Sequence, residues 1–173
     1  MKRLLLLRHA KSSWDDPSLE DHERPLAPRG HRACKVIAEH LKRERISPEL
    51  VLCSWSRRAR ETLDAIAPSF AGPVDMRLER GLYESAASEI LDRLRRVDDD
   101  VESVMVIGHY PAIQELALML SRGGPAADRA RRKFPTAALA TLTFEGAWRE
   151  LVPGGAELVA FVKPKELAIS GRP

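Results

Sequence analysis

Leu4-Leu5-Leu6-Leu7 is the first uninterrupted apolar run of the chain, and Arg8, His9 and Lys11 end it abruptly. Four residues of this kind fit a fully buried strand and are too few to span a membrane. The pattern recurs twice. Leu50-Val51-Leu52-Cys53 closes on Ser54, Ser56, Arg57 and Arg58, and Val104-Met105-Val106-Ile107 closes on Gly108-His109-Tyr110-Pro111. Between these runs the apolar period changes. Cys34, Ile37, Ala38 and Leu41 fall at i, i+3, i+4 and i+7, which predicts an amphipathic helix over Arg29–Arg45, ended by Ser47-Pro48. Ala59, Leu63 and Ile66 predict a second helix from Arg58 to Ile66, stopping before Pro68. A third is marked by Ala87, Ile90, Leu91, Leu94 and Val97, and a fourth by Ile113, Leu116, Ala117 and Leu120.

The remaining stretches complete an alternating order. Val74 to Leu78 reads as a short strand, and Gly81-Leu82-Tyr83-Glu84 as a loop. Ala138–Phe144 and Glu157–Val162 read as two further strands, with a turn around Gly154-Gly155 between them. Ser121 to Pro135 reads as a basic loop, and Asp98-Asp99-Asp100 as a solvated turn. Ser12 to Pro28 is a loop with Pro17, Pro25, Pro28 and five acids, Asp15, Asp16, Glu20, Asp21 and Glu23. A connection of that length points to function. The order is that of an α/β domain: a three-layer α/β/α sandwich around a mostly parallel sheet, formed as one domain over residues 1–173.

Composition narrows the classes. The chain is 44% hydrophobic and 31% charged, as a folded globular protein is. A net charge of +3 fits an anionic substrate, while 5% aromatics gives no stacking platform for nucleic acid. Neither a nucleic-acid nor a membrane partner is expected. Cys34 and Cys53 sit in apolar surroundings and indicate a reducing compartment. With no signal-peptide pattern after Lys2-Arg3, the expected location is the cytoplasm.

In an open α/β sheet, ligands bind outside the C-terminal ends of the strands. Three predicted strands deliver cations, imidazoles or hydroxyls there. For Arg8-His9 alone, a basic strand end dissolving into a solvated turn is as good a reading as a nucleophilic imidazole beside a guanidinium. Three such ends on one rim favour chemistry. Cys53 is six residues short of Ala59 where a cysteine-dependent phosphatase would need arginine, so it belongs to the core.

Taken in order, Arg8-His9-Ala10, Ser54-x-x-x-Arg58-Ala59-x-x-Thr62 and Gly108-His109 resemble the histidine phosphatase (phosphoglycerate mutase-like) superfamily. Within it, Arg8-His9-Ala10-Lys11-Ser12, Arg24-Pro25-Leu26-x-x-x-Gly30 and Gly108-His109-x-Pro111 are similar to the SixA-like phosphohistidine phosphatase branch. The similarity runs from Lys2 to about Phe144. It implies a phosphoglycerate mutase-like fold and a metal-independent phosphatase without a cofactor. It casts His9 as the nucleophile that becomes phosphohistidine, with Arg8, Arg58 and His109 holding the phosphoryl group. Arg24 either touches the phosphate or pins the acidic loop. Glu84 lies where larger members carry a general acid, and is otherwise a solvated carboxylate. His22, His31 and His40 match no motif of the family and are expected on surfaces or helix faces.

The stretch from Glu79 to Ser103 holds one loop and one helix, where relatives acting on small molecules often carry a larger insertion over the pocket. An open site is therefore expected. That favours a phosphorylated protein, such as a phosphohistidine-bearing phosphotransfer domain. A small phosphorylated metabolite hydrolysed by a broad-specificity phosphomonoesterase is the alternative, and a non-catalytic phosphate-binding module is the third reading. Mutase chemistry, which must exclude water, is not expected.

Overall fold

The computed structural model describes the backbone of residues 1–170 and the side chains through Ala168. The elements in chain order are β1 (Lys2–Arg8), α1 (Pro28–Arg43), β2 (Leu50–Ser54), α2 (Arg57–Ile66), β3 (Asp75–Glu79) and α3 (Ala87–Arg95). Then follow β4 (Ser103–Gly108), α4 (Ala112–Leu120), α5 (Pro125–Arg132), β5 (Leu139–Phe144), β6 (Glu157–Val162) and α6 (Pro164–Ser170).

The strands form one sheet in the order β3-β2-β4-β1-β5-β6. β1, β2, β3 and β4 run parallel, and β5 is antiparallel to both β1 and β6. The expected α/β architecture is thus present. Alternation along β1 explains its layers, since successive side chains of a strand point to opposite faces. Leu4 and Leu6 join the core beneath α3, α4 and α5, while Leu5 and Leu7 join the core beneath α1 and α2. All four leucines are fully buried. Each such burial is worth roughly 1.5–3 kcal/mol, so a polar residue in this run would strike one of the two cores directly.

Register sets the strand ends level with one another. Arg8 pairs with Gly108 and Cys53 with Ile107, so His9, Ser54 and His109 emerge together at one rim. The close approach of α1 to that rim requires Gly30, because a Cβ there would overlap the carbonyl oxygen of Lys11.

Two segments depart from the sequence expectation. The basic stretch Ser121–Pro135 is no plain loop, because α5 occupies Pro125–Arg132 within it. Only Ala127 and Ala130 of that helix are buried, and two alanines leave no strong apolar period to read. The acidic loop Ser12–Pro28 is pinned by a Ser12–Leu26 bridge and contains a 3-10 turn at Asp21–Glu23. Among the described residues, no helix is long and apolar enough to cross a membrane.

Candidate active site

His9 is the first residue beyond β1. Its backbone N–H donates to the Gly108 carbonyl at 3.1 Å, and its carbonyl accepts from Ala137 at 3.1 Å. The next residue is tied from below, where Ala10 N–H donates to Thr62 Oγ1 (3.0 Å) and that hydroxyl donates to the Arg58 carbonyl (2.7 Å). Thr62 thus locks the end of β1 to the first turns of α2. The ring is fixed as well. Nδ1 hydrogen-bonds the Ala10 carbonyl at 2.7 Å, so Nδ1 carries the proton and Nε2 presents a lone pair.

Cationic and imidazole groups surround that lone pair. Arg58 Nε lies 3.4 Å from His9 Nε2, and the His109 ring centroid is 5.0 Å from that of His9. Arg58 reaches the site from the start of α2, as the strand–turn–helix pattern of the sequence requires. His109 leaves β4, and its Nε2 hydrogen-bonds the hydroxyls of Ser54 (2.8 Å) and Ser56 (3.3 Å) at the end of β2. Arg8 donates from Nη1 to the Phe134 carbonyl at 2.8 Å, and its buried Nε has no partner among the described residues. A buried donor left unmade costs about 1–3 kcal/mol, which an anion at this position would recover. The site therefore unites His9, Arg8, Arg58 and His109 from three strand ends.

Burial lowers the His9 pKa to about 3; the Ala10 hydrogen bond opposes the shift, and His109, Arg58 and Arg8 add to it. Burial likewise lowers His109 to about 4, aided by Arg58 and Arg8 and opposed by Asp21. Both rings are neutral at pH 7, and a neutral imidazole is the nucleophilic form.

Asp21 is the residue that the sequence reading passed over as a loop acid. Its carbonyl accepts from Arg58 Nη1 (2.7 Å), and its Oδ2 accepts from Arg58 Nη2 (2.9 Å) and from Tyr83 Oη (2.5 Å). Burial works to raise its pKa, but the bonds from Tyr83 and Arg58 and the charges of Arg58 and Arg24 outweigh that and leave it at about 2. Tyr83 in turn is pushed up to about 12 by burial and by the Asp21 carboxylate.

Arg24 is buried, and its described bonds stay within the acidic loop. Nε donates to Asp21 Oδ1 and Nη1 to the Ser13 carbonyl, both at 3.3 Å, while Trp14 covers its face at 3.5 Å. These are the contacts of a residue that pins the loop, one step removed from Arg58 through Asp21. Glu84 is exposed, with φ of 57°, and among the described residues its side chain enters no hydrogen bond or ion pair. It adjoins Tyr83, whose ring packs edge-on to His109 at 5.5 Å.

Aromatic rings form the mouth. Trp14, Trp55, Tyr83 and Tyr110 each follow one of the four parallel strands, a recurrence visible in the sequence once the strands are placed. Tyr110 lies under Arg8 at 4.9 Å, and Trp55 stacks on His22 at 4.6 Å. His22 is therefore part of this rim rather than a bare surface histidine. Cys53 is fully buried, and burial pushes its thiol up to about 12, as a core residue. Among the described residues, Glu20, His22 and Glu23 are the group whose donor atoms come within 4.8 Å of one another, as a metal would need. They are already engaged locally, Glu23 with the Glu20 N–H and Glu20 with His22 Nδ1.

The chain is 36% identical to an uncharacterized protein of Mycobacterium tuberculosis, over 92% of this chain and all of that protein. It is 26% identical to the phosphohistidine phosphatase SixA of Escherichia coli, covering 83% of this chain and 86% of the relative. A solved structure from Nakamurella multipartitia, assigned as a phosphohistidine phosphatase SixA, superposes with a TM-score of 0.83 at 31% identity, covering 94% of this chain and 96% of that one. The family model of the histidine phosphatase superfamily (branch 1) matches residues 4–91, which span β1, β2 and β3 with Arg8, His9, Arg24, Arg58 and Glu84. With the relatives, the shared fold and that match in agreement, this chain belongs to branch 1 of the histidine phosphatase superfamily.

Proposed function

We propose that the protein is a phosphatase for phosphohistidine carried on another protein, acting through a covalent phosphohistidine on His9. The observation that carries this reading is the fixed His9 ring, with Nδ1 tied to the Ala10 carbonyl and Nε2 turned to Arg58. In the first step the Nε2 lone pair attacks phosphorus while the bond to the leaving nitrogen breaks. The departing imidazole keeps that electron pair, and a proton on its other nitrogen lets it leave neutral. In the second step water attacks phosphorus, the N–P bond returns its electrons to His9, and the water proton passes to bulk solvent.

The transferring group is loose and spreads its charge over three oxygens, so catalysis is mostly positioning and electrostatics. Arg8, whose Nε has no partner among the described residues, Arg58 and His109 are the groups that would meet those oxygens. Arginine charge can take the role a divalent cation has elsewhere, and activity is expected to survive a chelator. Two features support a protein-borne substrate. Between β3 and β4 the chain builds only a 3-10 turn (Arg80–Leu82) and α3. Trp14 and Tyr110 are more than half exposed beside Arg24 and Arg8, ready to meet a partner's surface.

The test is a brief reaction with a 32P-phosphohistidine phosphotransfer domain, quenched without acid. Acid-labile, base-stable label should appear on the wild-type protein and be missing from His9→Ala. Label that persists in His9→Ala removes His9 as the nucleophile, and turnover confined to small esters removes the protein substrate.

A further inference from the structure

A cleft of about 660 Å³ lies beside the His9 rim and shares none of its groups. Its walls come from the start of α1, the segment 133–136 and α6 with the residue before it. Among the described residues, six cations line it: Lys11, Arg29, Arg32, Lys133, Lys163 and Lys165. Its acidic lining residue is Glu166, which is engaged with Arg129 (2.8 Å) and Lys163 (3.1 Å). Among the described residues, the other five cations have no carboxylate partner.

Five like charges around one concavity, with no carboxylate partner among the described residues, repel each other. A cleft of one sign with low-dielectric walls concentrates its field on a counter-ion. The helix that supplies Arg29 and Arg32 begins without an acidic residue in its first turn and without a side-chain cap, so its positive end adds to that field. Ala33, Val36 and Pro135 give the same cleft an apolar wall. Its volume falls in the range of sites for small organic ligands. Cations on three sides and an apolar wall match a molecule with several anionic groups and a flat or apolar body.

We propose that this cleft is a second site, distinct from the His9 site, for an organic polyphosphate of nucleotide size. Lys11 lies two residues beyond His9, and Lys133 precedes Phe134, whose carbonyl anchors Arg8. Two of the cleft's segments thus adjoin the phosphoryl site, one beside His9 and one beside the carbonyl that holds Arg8.

Titration with a fluorescent, non-hydrolysable ATP analogue reads binding without turnover, so its outcome is independent of the phosphatase assignment. Wild-type and Arg58→Ala proteins should bind it equally. Arg32→Glu/Lys165→Glu, two exposed changes on different walls, should weaken binding at least ~10-fold while circular dichroism stays unchanged. Tripolyphosphate, which has the charge but no body for the apolar wall, should displace the analogue at least ~10-fold less well than ATP does. No binding, loss of binding in Arg58→Ala, or full binding by the double variant overturns the proposal. Equal displacement by tripolyphosphate or by a hexaglutamate peptide also overturns it, the latter by assigning the cleft to an acidic polypeptide.

Discussion

The Arg58 guanidinium grips Asp21 at two points, through Nη1 to the backbone carbonyl and through Nη2 to the carboxylate, and so leaves its Nε at His9. This relationship spans 37 positions of chain and fixes the arginine before any substrate arrives. Its cost is a carboxylate close to where an anionic group would bind. Asp21→Asn keeps the shape, loses the charge and halves the strength of the grip. The expected outcome is a kcat about tenfold lower, as about 1.4 kcal/mol of positioning would give, together with a lower KM because the anion is no longer repelled. Steady-state kinetics on one aryl phosphate separates the two effects. Unchanged kcat would limit Asp21 to holding the loop.

Thr62 tests the link between β1 and α2. Thr62→Val keeps the volume but strips Ala10 N–H of its acceptor in a buried position. The loss should be about 1–3 kcal/mol in urea unfolding, the cost of leaving a buried donor unmade. The linked shift of His9 should lower activity by more than the fold loses in population. A stability equal to wild type would mean that the Ala10 amide finds another acceptor.

How much of this site the sequence disclosed follows from range. His9 and His109 were legible because each stands just past an apolar run, and Arg58 because it opens the helix after another. Strand ends of a parallel sheet share a rim, and the motif resemblance supplied their roles. Asp21 was not, since five acids in one loop look alike until the fold sets one of them against Arg58. The same holds for Tyr83, which meets Asp21 across 62 positions. α5 escaped for a local reason, because its buried face is made of alanines within an arginine-rich stretch. The cleft cations were invisible for both reasons: they come from four separate segments, and each alone is an ordinary surface charge.

Arg58→Lys retains the charge and gives up the planar fork. A lysine ammonium cannot hold both Asp21 oxygens and face His9 Nε2 at once. Turnover should fall at least ~10²-fold, the scale of removing one donor from a transition-state oxygen. Near wild-type rates in a folded Arg58→Lys protein would make the residue structural.

The two site histidines predict how stability responds to pH. Their folded pKa values, about 3 for His9 and about 4 for His109, lie below the usual 6.5. Between pH 4 and 6.5 the unfolded chain therefore binds protons that the folded chain does not. Stability is fully present above 6.5 and is lost as pH falls toward 4. Asp21, lowered from 3.8 to about 2, keeps its contribution until pH drops below 3.8, so it leaves this window alone. His40, also lowered by burial, adds in the same direction. Urea midpoints from pH 4.5 to 7.5 should rise with pH, and more shallowly in His9→Gln and His109→Gln. Equal slopes in all three proteins would mean that neither site histidine is held neutral.

Glu84 bears on both mechanism and substrate. It is exposed, holds a left-handed φ of 57° and adjoins Tyr83, which packs against His109. A general acid matters most for a poor leaving group. An alkyl alkoxide needs a proton in the transition state, whereas a phosphohistidine imidazole already protonated on its other nitrogen departs unaided. If Glu84 supplies that proton, Glu84→Gln slows alkyl phosphate hydrolysis by about 10²–10⁴, the usual contribution of general acid catalysis. Phosphohistidine and activated aryl phosphates should be almost untouched by the same change. Rates on the three substrate types, measured side by side, decide the matter. Equal loss on all three would assign Glu84 to positioning through Tyr83. No loss on any would return it to the solvated loop, and an enzyme that needs no such acid is one suited to phosphohistidine.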